Sequence, residues 1–127
     1  MKYEHMHTRR PQVDINSVKK KHQVYIDEAI QLARKSPMIK KHGCVIVRKN
    51  EIIGRGFNYR TDTLKQQYSI HAEVDAIYNA KKIQSNLEDC TLFVVRISND
   101  KLAKSIPCEN CQKCILEHRI GKIYFST

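Results

Sequence analysis

Apolar residues recur at helical spacing from about Val18 onward, at Val24, Ile26, Ala29, Ile30, Leu32 and Ala33. Ser36-Pro37 is expected to stop this helix, because a residue before proline is pushed out of the helical region. The period then changes. Gly43 to Val47 and Ile52 to Asn58 are short β-rich runs joined by Arg48 to Glu51, which predicts a hairpin. After a polar stretch at 59–70, His71 to Lys82 returns to helical spacing, with Val74, Ile77 and Tyr78 expected in the core. Thr91 to Val95 is a continuous apolar strand of the buried kind. A loop from about Ile97 to Ile106 leads to a short helix, Cys108 to His118, which Gly121 is placed to end. Lys122 to Ser126 is a fourth strand.

The order α-β-β-α-β-α-β implies crossovers and a layered α/β fold. The first two strands pair antiparallel and the later ones run parallel, so the sheet should be mixed. A chain of 127 residues fits one domain with a real core. Residues 1–17 are polar and lack a period, and read as a basic N-terminal arm preceding a domain over 18–127.

No apolar run approaches the roughly 20 residues of a membrane span, and the N-terminus lacks the apolar core of a signal peptide. A cytoplasmic, reducing location is therefore expected. The five cysteines are an odd count and fit reduced or metal-bound thiols better than a disulfide framework. The net charge of +10 suits phosphate-bearing partners, from nucleotides to RNA and DNA, but solvated lysines account for it equally.

Two segments carry chemistry. His71-Ala72-Glu73 opens one predicted helix and Pro107-Cys108-Glu109-Asn110-Cys111 opens another. Cys108 and Cys111 are spaced to lie on one side of a helical turn, and His71 comes from a facing helix. Three such ligands leave a fourth position open, as a catalytic zinc requires. A helix N-terminus favours thiolate over thiol. Glu73, two residues past His71, is placed beside the metal without ligating it, where it can move protons. The pairing of H-x-E with P-C-x-x-C is the known signature of zinc deaminases. A lone Cys-x-x-Cys is also found in structural zinc half-sites and redox pairs, and Cys111-x-x-Cys114 is a competing pair, although Cys114 suits helix packing. Cys44 and Cys90 lie in apolar runs and read as small buried hydrophobes. His42 and His118 have no partner pattern.

These segments, with GCVIV, EIIGRGFN, TLFVV and IGKIYFS around them, resemble the cytidine/deoxycytidylate deaminase superfamily over roughly residues 20–127. The resemblance implies a three-layer α/β/α fold with a mixed sheet of about four to five strands flanked by helices. It implies one zinc ion per chain on His71, Cys108 and Cys111, with Glu73 as proton shuttle. It places Asn58 against the sugar, the Ala72 N–H on the base and the Ile106 carbonyl opposite the exocyclic amine; Asn58 also reads as a turn residue. Arg60, Lys65, Arg96 and Lys104 are candidate phosphate contacts. The substrate expected is a cytosine nucleotide, dCMP foremost, handled by a homo-oligomer without membrane association. The alternatives are an RNA or single-stranded DNA deaminase acting on cytosine or adenine, for which Phe57, Tyr59 and Tyr68 offer stacking surfaces, and a non-catalytic zinc module.

Three departures from the family pattern stand out. Asp75 replaces a common asparagine and would repel a nearby phosphate. The loop before Pro107 is long, so Lys101, Lys104 and Ser105 are expected to overhang the site. A fifth strand is missing at the sheet edge, which a partner subunit or the N-terminal arm is expected to shield.

Overall fold

Two helix-facing cores, one on each side of a single mixed sheet, organise the chain. The computed structural model describes residues 12–14, 20–62 and 67–127. Its strands are β1 (Gln12–Asp14), β2 (Lys41–Arg48), β3 (Glu51–Phe57), β4 (Tyr59–Asp62), β5 (Gln67–Ile70), β6 (Thr91–Ser98), β7 (Lys101–Ala103) and β8 (Lys122–Phe125). The helices are α1 (Gln23–Lys35), α2 (Ala72–Ala80) and α3 (Glu109–Glu117), with a 3-10 turn at Lys20–His22 ahead of α1.

The sheet order is β1-β8-β6-β2-β3, with β7 also paired to β6. β2 runs antiparallel to both β3 and β6, while β6, β8 and β1 are parallel. The alternation of side chains along a strand then sorts the core. Val45, Val47, Phe93, Val95, Ile97 and Tyr124 meet Ile26, Ala29, Leu32 and Ala33 of α1. On the opposite face Cys44, Ile46, Leu92, Val94, Ile123 and Phe125 meet α2, and Ile115 of α3. The result is the expected three-layer α/β/α arrangement.

Glycines set how closely the helices lie on the sheet. A Cβ on Gly43 would stand 1.9 Å from the Ala29 carbonyl oxygen of α1. A Cβ on Gly56 would stand 2.5 Å from the Ala76 nitrogen and 2.6 Å from the Ala72 oxygen of α2. The β2–β3 turn uses Lys49 and Asn50, with φ of 50° and 66°, as a two-residue turn whose twist matches the strands.

Several expectations are corrected, but one holds: the edge beside β8 is shielded by the N-terminal arm, whose Gln12–Asp14 adds a parallel strand there. The rest of the arm, including residues 1–11 and 15–17, lies outside the described residues. The stretch 59–70 is an antiparallel hairpin of β4 and β5 rather than a plain loop. The long link before Pro107 begins as a second tight hairpin, with Asn99 and Asp100 at φ of 52° and 64° and β7 folded back on β6. Val24, Val74 and Tyr78 face solvent, because α1 buries Ile26, Ala29, Leu32 and Ala33 instead and α2 buries Ala72, Glu73, Ala76, Ile77 and Ala80. Arg119, at φ 56°, follows the last turn of α3 in the left-handed region, a role expected of Gly121. No helix among the described residues is long and apolar enough to cross a membrane.

Candidate metal centre and active site

α2 and α3 both begin at one end of the sheet. Their N-caps are His71 and Cys108, each with extended backbone. The Cys108 sulfur accepts the Cys111 N–H at 3.4 Å, so the thiol caps the helix that carries its partner. Pro107 precedes this cap rather than opening the helix. His71 Nδ1 lies 3.1 Å from Cys111 Sγ and 3.5 Å from Cys108 Sγ. These three ligand atoms lie within 4.8 Å of one another.

The donor set suits zinc. Tetrahedral bonds of about 2.0–2.3 Å to nitrogen and sulfur require ligand atoms roughly 3.5–3.8 Å apart, so His71 and Cys111 would part slightly to hold the ion while His71 and Cys108 already stand at that spacing. Burial, followed by Glu73 and Cys108, drives the Cys111 thiol far above its ordinary pKa. A thiolate there needs a cation beside it. Cys114 stays outside the cluster and packs against the core, and Cys44 and Cys90 are fully buried. His118 turns back to its own helix, with Nδ1 2.8 Å from the Cys114 carbonyl oxygen.

The centre opens into a cavity of about 770 Å³. His71, Ala72, Glu73, Ile106, Pro107 and Cys108 line one side, and Pro37 to Lys40, His42, Asn58, Arg60 and Ser69 the other. Glu73 is 4% exposed, and burial pushes its carboxyl up to about 7, opposed by its own backbone N–H and the Cys111 thiol. A carboxyl with its pKa raised to this range suits proton transfer near neutrality. Ala72, the first residue of α2, has an N–H without an intrahelical acceptor.

Asn58 is 8% exposed and staples the cavity wall. Its Nδ2 donates to the Lys40 carbonyl at 2.7 Å, and its Oδ1 accepts the His42 N–H at 2.9 Å. The Ser36 hydroxyl donates to the Asn58 carbonyl at 2.8 Å. Sequence spacing gave no sign of this staple, although the Ser-Pro stop marks where it begins.

Of the candidate phosphate contacts, Arg60 lines the cavity, whereas Lys104 and Arg96 do not, and Lys65 lies outside the described residues. Asp75 is not among the lining residues either. Its carboxylate accepts the Phe57 N–H at 3.3 Å, tying β3 to α2. Ser105 does not overhang the site. It is 2% exposed, and its hydroxyl contacts the Val94 carbonyl at 3.0 Å, the Ser126 hydroxyl at 2.8 Å and the Ser126 N–H at 2.8 Å. This serine pair anchors the link immediately before Ile106. Phe57 and Tyr59 meet edge-on at 6.1 Å but do not line the cavity, and the Tyr68 side chain lies outside the described residues.

A mixed sheet with a His/Cys/Cys centre at two helix N-termini, beside a buried glutamate, defines a zinc-deaminase-like domain. Residues 19–127 match the model of the cytidine and deoxycytidylate deaminase zinc-binding region, and the chain belongs to that family. It is 34% identical over 131 residues to a probable deoxycytidylate deaminase of Caenorhabditis elegans, covering 89% of this chain and 60% of the relative. It is 43% identical over 105 residues to a tRNA-specific adenosine deaminase of Streptococcus pyogenes, covering 80% of this chain and 59% of that protein. The chain thus spans about 60% of the length of these curated relatives. The crystal structure of the dCMP deaminase of cyanophage S-TIM5 shares the fold, with a TM-score of 0.64 at 21% identity, covering 85% of this chain and 84% of that one.

Proposed function

We propose that the chain is a zinc-dependent hydrolase that removes the exocyclic amine of a cytosine nucleotide, dCMP foremost, leaving the uracil form and ammonia. The observation that carries this reading is the buried Glu73 carboxyl beside the His71–Cys108–Cys111 cluster in a cavity of nucleotide-accommodating size. A non-catalytic zinc module has no use for a buried carboxylate there.

Bound at these three residues, zinc supplies a Lewis acid that acidifies water. Glu73 takes the proton of the attacking water and delivers it to the ring nitrogen and then to the leaving amine. The Ala72 N–H and the Ile106 carbonyl orient the base, the latter accepting from the amine. Asn58, with one donor and one lone pair still uncommitted, serves the sugar. Arg60 at the cavity mouth, and Lys104 beyond it, attract the phosphate.

The similarity to a tRNA-specific adenosine deaminase and the net charge of +10 favour a second reading, a nucleic-acid deaminase. One experiment separates the two. Zinc-loaded protein is incubated with dCMP, CMP, dCTP, CTP, cytidine and a cytosine-containing oligonucleotide, with ammonia release followed and Glu73→Ala as control. Turnover of a mononucleotide that the control abolishes supports the leading reading. Turnover of the oligonucleotide alone supports the second. No turnover with one zinc bound per chain refutes both for cytosine.

A further inference from the structure

Residues 104–108 belong to no helix or strand, so no ladder of backbone hydrogen bonds fixes them. They nevertheless carry Ile106 and Pro107, which line the cavity, and end in Cys108 of the metal cluster. Two side chains hold this link from opposite ends. At the near end, the buried Ser105 hydroxyl donates to the Val94 carbonyl of β6 at 3.0 Å and accepts the Ser126 N–H at 2.8 Å. The Ser105 N–H donates in turn to the Ser126 carbonyl at 2.9 Å. At the far end, Gln112 of α3 reaches back five residues, and its Nε2 donates to the Pro107 carbonyl at 3.0 Å. Between the two, the Ile106 side chain packs against the core beneath α2.

The helix itself has no need of the Gln112 contact. The Cys108 sulfur already caps α3, and the Gln112 N–H already bonds the Cys108 carbonyl at 2.8 Å. What the Gln112 amide fixes is the carbonyl of Pro107. The proline ring locks the φ of that residue, and holding its carbonyl locks the ψ, so neither torsion at Pro107 is free. The Ile106–Pro107 peptide is therefore rigid relative to α3 on one side, and Ser105 pins the chain to β6 and Ser126 on the other. Rigidity here has a chemical consequence. A carbonyl oxygen accepts a hydrogen bond from an amine, but it meets a keto oxygen in the same place with lone pairs facing lone pairs. A carbonyl free to swing aside tolerates both groups, whereas a fixed one separates them.

We propose that Ser105 and Gln112 are positioning residues that hold the Ile106 carbonyl as a fixed acceptor, so that the cavity keeps the amine-bearing base and releases the keto product. The amine and its replacement by a keto group rest on the deaminase reading above; the clamp on the link rests on the contacts of Ser105 and Gln112.

The test measures affinities for dCMP and dUMP by calorimetry on zinc-loaded Glu73→Gln protein, which holds dCMP unreacted, alone and combined with Ser105→Ala, Gln112→Met or Val47→Ala. Where an oligonucleotide is the probe that wild type deaminates, its cytosine and uracil forms replace the nucleotides. Gln112→Met keeps the length of a half-buried side chain and removes only the donor. Val47→Ala opens the α1-side core at the other end of β2 from His42 and controls for lost stability. In Ser105→Ala and Gln112→Met, dCMP should bind roughly 3- to 10-fold more weakly, while dUMP should bind within about twofold of its former affinity or more tightly. With Glu73 restored, the KM for dCMP should rise more than kcat falls, and product inhibition by dUMP should not weaken. Val47→Ala should lower the Tm and leave the preference for the amine unchanged. An unchanged preference in either Ser105→Ala or Gln112→Met overturns the proposal, since a merely structural contact lowers both affinities alike; so does an equal loss of preference in Val47→Ala. Turnover of dCMP by wild type, with the preference intact in both variants, removes the clamp and leaves the deaminase reading standing. A wild type that deaminates no cytosine-bearing probe removes that reading and the clamp together.

Discussion

Gly56→Ala tests whether the close approach of β3 to α2 positions the chemistry. The added Cβ would sit 2.5 Å from the Ala76 nitrogen and 2.6 Å from the Ala72 oxygen, both backbone atoms that no rotamer change can move. Ordinary contact begins near 3.4 Å, so the first turns of α2 must withdraw by about 0.9 Å. Those turns carry Glu73 and follow directly from His71. Overpacking of this kind costs about 1–3 kcal/mol, a fall in Tm of roughly 4–12 °C for a domain of this size. A misplacement near 1 Å in a reacting constellation costs on the order of 100-fold in rate. The assay pairs thermal unfolding with ammonia release from the preferred cytosine substrate, and adds zinc content per chain. A variant with wild-type Tm, zinc and rate would refute the idea that this glycine sets the helix position. A Tm loss with an intact rate would show that α2 retreats without carrying Glu73 along.

Glu73→Gln should keep zinc and fold at least as stably as wild type, yet lose about 10²- to 10⁴-fold in kcat, and a loss under tenfold would remove Glu73 from proton transfer. Chelation should lower the Tm, because a ligand held only by the native state stabilises by about 4 kcal/mol at a thousandfold excess over Kd; Cys111→Ser should abolish that difference, read by metal analysis and calorimetry. Ser105→Ala leaves the Val94 carbonyl and the Ser126 N–H short of a buried partner and should cost about 1–3 kcal/mol, seen in urea as a lower midpoint at unchanged m.

Much of the fold was legible because two periods alternate cleanly, and the metal centre because its ligands sit in two short motifs at element boundaries. The errors have physical causes. Val74 and Tyr78 match helical spacing, but the face of α2 that meets the sheet is Ala72, Glu73, Ala76, Ile77 and Ala80. Gly54 and Gly56 let that small-residue face lie close, and small residues carry a weak hydropathy signal. β7 and β1 are three residues each, too short for any alternation to register. The Asn99-Asp100 pair was the available sign of the β6–β7 hairpin, since both residue types tolerate the left-handed backbone such turns need.

The metal centre and the recognition wall differ in how the chain encodes them. The centre needs donors at fixed short spacing, so the sequence displays it as a motif. The wall is assembled across strands: Asn58 follows β3, Lys40 precedes β2 and His42 lies within β2. None of these residues is close in sequence to another part of the wall except Lys40 and His42. Substrate choice in this fold can therefore change by single substitutions in the wall while the metal ligands stay fixed. Residues that select the substrate are then expected where a polar side chain interrupts an otherwise apolar strand face, as His42 does beside Cys44.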